Sequence, residues 1–140
     1  MRRSTKSKEI LRLEQVISQV TGRLVKYNDK TANGLTSAII DFVELVKLQQ
    51  AERYHSGGVP FVDHITGEQK FAKPIVTTGT ADIHCTIQGR SVKVEVKIGT
   101  DRQSKQQKEY QKAVERAGGI YFIAKDFCSF AWFYKKQFEK

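Results

Sequence analysis

Asp82, Glu95 and Lys97 are the residues of this chain best spaced to do chemistry together. Residues 81–87 (Ala-Asp-Ile-His-Cys-Thr-Ile) alternate with period two, which puts Ile83, Cys85 and Ile87 on one face of a strand and Asp82, His84 and Thr86 on the other. Residues 91–98 (Ser-Val-Lys-Val-Glu-Val-Lys-Ile) alternate in the same way, with Val92, Val94 and Val96 inward and Lys93, Glu95 and Lys97 opposite. Gln88, Gly89 and Arg90 lie between the two runs and signal a hairpin. If Gln88-Gly89 form a two-residue turn, Ile87 pairs with Arg90 and Asp82 faces Glu95, with Cβ atoms about 5 Å apart. If Gly89-Arg90 form the turn, Asp82 faces Lys97 and His84 faces Glu95. A three-residue turn breaks the arrangement, because a slip of one residue reverses every side chain.

Two carboxylates so placed repel each other and leave a gap that a divalent cation can fill with oxygen ligands. The chemistry that suits them is metal-assisted phosphodiester hydrolysis. Mg²⁺ or Mn²⁺ held by Asp82, Glu95 and the main-chain carbonyl of Val96 would lower the pKa of a bound water and orient it for in-line attack. The ammonium of Lys97 would position that water or offset charge on the scissile phosphate. The competing reading is a solvated Lys-Glu-Lys face on an exposed hairpin. Of the three histidines, His55 and His64 fall in a loop and His84 shares the face of Asp82. No pair of them has a zinc-site spacing.

The rest of the chain must position that hairpin. Its 140 residues are enough for one domain with a real core, and 39% hydrophobic with 28% charged residues is an ordinary globular balance. Lys and Arg outnumber Asp and Glu by 24 to 15, and the resulting charge of +9 favours a polyanionic partner. Cys85 and Cys128 form no CxxC or metal-ligand pattern, so a reducing cytoplasm is expected, and no apolar run approaches the roughly 18 residues of a membrane span.

Ile10, Leu13, Val16, Ile17 and Val20 predict an amphipathic helix from Lys8 that ends near Thr21-Gly22. A second helix is expected to begin between Asn33 and Thr36 and to run to about Gln50. Glu52 to Lys73 reads as an irregular loop with short strand pieces such as Val59 to Val62. A third helix starts after Ser104, which with Gln107 makes a capping box, and stops at Gly118-Gly119. Its stripe is read as Gln106, Tyr110, Ala113, Val114 and Ala117. Ile120 to Ala124 is a buried strand, and the aromatic-rich segment from Asp126 a closing helix. The order helix, helix, hairpin, helix, strand, helix predicts one α/β domain with a mixed sheet flanked by helices.

Gly79-Thr80-Ala81-Asp82, twelve intervening residues, Glu95-Val96-Lys97, Gln106 on a helix and Gly118-Gly119-Ile120-Tyr121 entering a strand together resemble the VRR-NUC family of the PD-(D/E)XK, or restriction-endonuclease-like, nucleases. The resemblance covers about residues 33–125 and lies in order and spacing. It implies a restriction-endonuclease-like core over residues 31–140, preceded by a basic helical extension over residues 1–30. It also implies a divalent-metal-dependent DNA endonuclease acting on branched, flap or phage DNA, in a bacterial or phage-infected cell.

By position, Asp82 and Glu95 would be metal ligands, Lys97 the catalytic lysine and Gln106 the family's helix glutamine. Arg53 and Ser56 would touch phosphate. Near the start of its first core helix the family carries a glutamate; this chain has Asn33-Gly34 there. Asn33 would be a neutral metal or water contact, or the helix N-cap. The alternative function is a nucleic-acid-binding domain that keeps the fold without cutting. DNA is the expected partner ahead of RNA. The N-terminal helix would lie along a nucleic-acid backbone, mediate a homodimer or pad the core.

Overall fold

The structure is a computed structural model that describes residues 6–54, 59–72 and 79–140. Helix α1 spans Lys8–Thr21; the Ser7 hydroxyl caps it by accepting from the Ile10 N–H at 3.2 Å, and Gly22 ends it at φ +71°. Its expected stripe goes inward at Ile10, Leu13 and Ile17, which join the common core, whereas Val20 stays 58% exposed.

Helix α2 spans Ala32–Asp41 and begins earlier than the sequence suggests, because Thr31 supplies the N-cap by accepting from the Gly34 N–H at 3.0 Å. It does not run to Gln50. The helix widens into a π-helical turn at Phe42–Val46, Leu48 takes φ +56°, and Gln50–Arg53 leaves as strand β1. The wider turn seats Phe42 edge-on against Phe127, Phe130 and Tyr134. β1 was hidden in the sequence because only Ala51 of its four residues is buried, too few to display alternation.

The long segment after β1 holds a small hairpin, β2 (Val59–Val62) antiparallel to β3 (Gln69–Ala72). Asp63 fixes its turn by accepting from the Ile65 N–H at 2.8 Å, and Gly67 sits at φ +73°.

The main sheet continues with β4 (Ile83–Ile87), β5 (Arg90–Val96) and β6 (Ile120–Ala124), in the order β1-β4-β5-β6. β1, β4 and β5 are antiparallel neighbours, and β6 lies parallel to β5, so the sheet is mixed. Helix α3 (Lys105–Arg116) joins β5 to β6, and α4 (Phe127–Phe138) closes the chain. α1, α2 and α4 cover the face carrying Ile83, Cys85, Ile87, Val92 and Val94; α3 lies on the opposite face. Asp29 ties the start of α4 to the α1–α2 connection by accepting from the Phe127 N–H at 2.9 Å. Among the described residues no helix is long and apolar enough to cross a membrane.

Candidate active site

The hairpin turn is Gln88-Gly89. Both residues have positive φ, +51° and +78°, as a type I′ turn requires, and Ile87 pairs with Arg90. Ile83 pairs with Val94, so the next step along the register sets Asp82 beside Glu95, on the sheet face that α3 partly covers. Val92, Val94 and Val96 are buried on the core side as expected. Glu95 is not solvated: it is 2% exposed.

Among the described residues, three of the four carboxyl oxygens of this acid pair have an identified partner. Asp82 Oδ2 accepts from the Val96 N–H at 2.8 Å, which locks the bend before β4 onto the end of β5. Its backbone carbonyl accepts from the Tyr54 N–H at 2.8 Å and so anchors the chain just past β1. Glu95 Oε1 accepts from Gln107 Nε2 at 3.0 Å and faces Lys97 Nζ at 3.9 Å. Glu95 Oε2 faces the Tyr121 hydroxyl at 3.4 Å. Tyr121 also accepts from Gln103 Nε2 at 3.2 Å, and its ring meets Tyr110 edge-on. Burial, then the adjacent Asp82 carboxyl, push the Glu95 pKa up to about 8, with Lys97 and Tyr121 acting against them.

The helix glutamine of the site is Gln107, one residue after the one expected. The inward side of α3 is Gln107, Tyr110, Gln111 and Val114; of the expected stripe Tyr110 and Val114 face inward, whereas Gln106, Ala113 and Ala117 are exposed. Gln107 was legible as the capping-box residue, and it fills both offices. Its Oε1 accepts from the Ser104 N–H at 2.9 Å while its Nε2 reaches Glu95. Ser104→Ala should therefore cost about 1 kcal/mol of stability by denaturant unfolding, and it should loosen the amide that holds Glu95. Tyr121, whose sequence position signals only the start of a strand, belongs to the site as well.

Arg53 does not meet the acids. Its Nη1 donates to Asn33 Oδ1 at 3.0 Å, on the α2 side of the sheet. Asn33 is thus neither the N-cap, which is Thr31, nor in contact with Asp82 or Glu95 among the described hydrogen bonds. Ser56, and His55 with it, lie outside the described residues. His84 stacks on Tyr54 with centroids 4.8 Å apart. Burial, then Lys93, hold its pKa below the ordinary range, and its buried Nε2 has no partner among the described residues.

Among the described residues no three His, Cys, Asp or Glu side chains gather as a cation cage. Two carboxylates are nonetheless a fitting set for a hard cation that keeps most of its waters, as Mg²⁺ does. The observation favouring that fit is Glu95 itself, a buried carboxyl beside a second acid, with one ammonium paired to it among the described residues, that of Lys97 at 3.9 Å. With the Val96 carbonyl as a third oxygen, Asp82 and Glu95 could hold one divalent ion. Comparison of the chain with family models and with curated proteins finds no match to either.

Proposed function

We propose that this protein is a divalent-metal-dependent DNA endonuclease with a restriction-endonuclease-like core of the VRR-NUC type, acting on branched, flap or phage DNA. The observation that carries the reading is the convergence of Asp82, buried Glu95 and Lys97 at one end of the β4–β5 ribbon. Mg²⁺ or Mn²⁺ at Asp82, Glu95 and the Val96 carbonyl would supply a water of lowered pKa. The chain's own residues do the rest. Gln107 and Tyr121 fix the Glu95 carboxyl, Val96 fixes that of Asp82, and the Lys97 ammonium stands ready to orient the attacking water and offset phosphate charge. The +9 charge favours a polyanionic substrate.

A second reading is a DNA-binding domain that does not cut. It is favoured by the neutral Asn33, hydrogen-bonded to Arg53, at the place where the resembling family carries a helix glutamate. Plasmid, single-stranded, flap and four-way DNA, incubated with Mg²⁺ or Mn²⁺, separate the two. The nuclease reading expects metal-dependent cutting that disappears in Asp82→Ala and falls about 100-fold in Lys97→Met, the loss usual for one electrostatic donor. Equal DNA retention by parent and Asp82→Ala, with no cutting by either, would establish the binder.

A further inference from the structure

We infer that the groove between β6 and α4 is a stacking site for an unpaired nucleobase and its flanking phosphates, so that single-stranded nucleic acid is held along the β6 edge. The inference rests on the nucleic-acid reading above and names a substrate feature for it. Trp132 is 62% exposed, although a ring of that size normally buries most of its surface. It borders an open groove of about 770 Å³. The floor is aromatic: the rings of Phe122 and Phe133 stack 4.2 Å apart at 12°.

Lys136 stands four residues after Trp132 on α4, and Lys140, just past the end of the helix, lines the same groove. Both lysines are exposed, and neither is ion-paired among the described residues. Among the described residues no Asp or Glu side chain lines the groove. A flat π-surface beside unpaired cations is what sequence-tolerant single-strand binding uses. A protein partner is the poorer occupant, because the centres of protein interfaces are depleted in lysine.

The location links the groove to the candidate active site. β6 is an edge strand, and its consecutive residues Tyr121 and Phe122 point to opposite faces. Tyr121 touches Glu95, and Phe122 floors the groove. A strand passing the β6 edge would therefore have its stacked base on one face and its phosphodiester track close to the other.

Trp132 is the single tryptophan of the chain, so its emission reports on this groove alone. Oligothymidylate titrated into the full chain in EDTA, which prevents cutting, should quench that emission saturably. Labelled oligothymidylate, followed by anisotropy, should bind Trp132→Leu about 10-fold or more weakly, the effect of losing one stacked base. Lys136→Glu with Lys140→Glu, both at exposed positions, should flatten the slope of log affinity against log salt by about 1 to 1.5. Unchanged affinity in a folded Trp132→Leu, or oligonucleotide binding that leaves the emission untouched, overturns the inference. So does emission that shifts with protein concentration alone while sedimentation shows a dimer, since a second copy then fills the groove. Cutting is scored separately. Quenching without any metal-dependent cutting removes the nuclease reading and keeps the groove; cutting without quenching removes the groove alone.

Discussion

At pH 8, Glu95→Gln should be about 3 kcal/mol more stable than the parent protein when both are metal-free in EDTA, and with Mg²⁺ supplied instead it should show no measurable cleavage. The two effects have opposite signs and one cause. Glu95 is buried beside Asp82, and its pKa rises from the ordinary 4.5 to about 8. A carboxyl that binds its proton more tightly when folded stabilises the fold fully below about pH 4.5, and that contribution is lost as pH rises through about 8. Between those values the metal-free parent should weaken by about 1 kcal/mol per pH unit.

Glutamine never ionises, so the slope should vanish in the variant. Its amide oxygen can still accept from Gln107, and its amide nitrogen can donate toward Asp82 or Tyr121. Urea unfolding at about pH 5 and at pH 8 reads the slope, with the same midpoint in parent and variant near the acid end. Mg²⁺ should raise the parent's midpoint at pH 8 and leave that of Glu95→Gln unmoved. A parent whose midpoint is flat with pH, or a variant that responds to Mg²⁺ as the parent does, would remove Glu95 from the role of buried ligand.

Much of this arrangement was legible in the residues, for physical reasons that differ by element. The β4–β5 hairpin announced itself because both strands alternate strictly and Gln88-Gly89 can take the positive φ values of the turn. The caps at Ser104 and Gly22 were equally local signals. β1 escaped because it is short, polar and an edge strand, and its place depends on the π-helical turn at Phe42–Val46, which has no composition of its own. The burial of Glu95 was not legible either. Alternation fixes which face a side chain takes, but not whether a helix from elsewhere covers that face. The slip from Gln106 to Gln107 has the same origin: α3 has no fully buried residue, so its apolar stripe is a weak guide to the side that meets the sheet.

Gly79→Ala should cost about 3 kcal/mol or more of stability, whereas Gly118→Ala should cost only about 1 kcal/mol. Both glycines have left-handed backbones, at φ +84° and +89°, so the conformational penalty of a side chain is nearly the same. Their surroundings differ. A Cβ on Gly118 meets nothing within 4 Å. A Cβ on Gly79 would lie 2.5 Å from the carbonyl carbon of Gln106, 2.6 Å from its oxygen and 2.8 Å from the Gln107 nitrogen. These are backbone atoms in the first turn of α3, and they can retreat only if the turn itself moves. That turn carries Gln107, whose amide holds Glu95 at 3.0 Å, so Gly79→Ala should also impair whatever the acid pair does, while Gly118→Ala should not. Denaturant unfolding of the two variants gives the comparison directly. Equal losses would mean that backbone strain alone matters, and that the close approach of residue 79 to α3 does not set the position of Gln107.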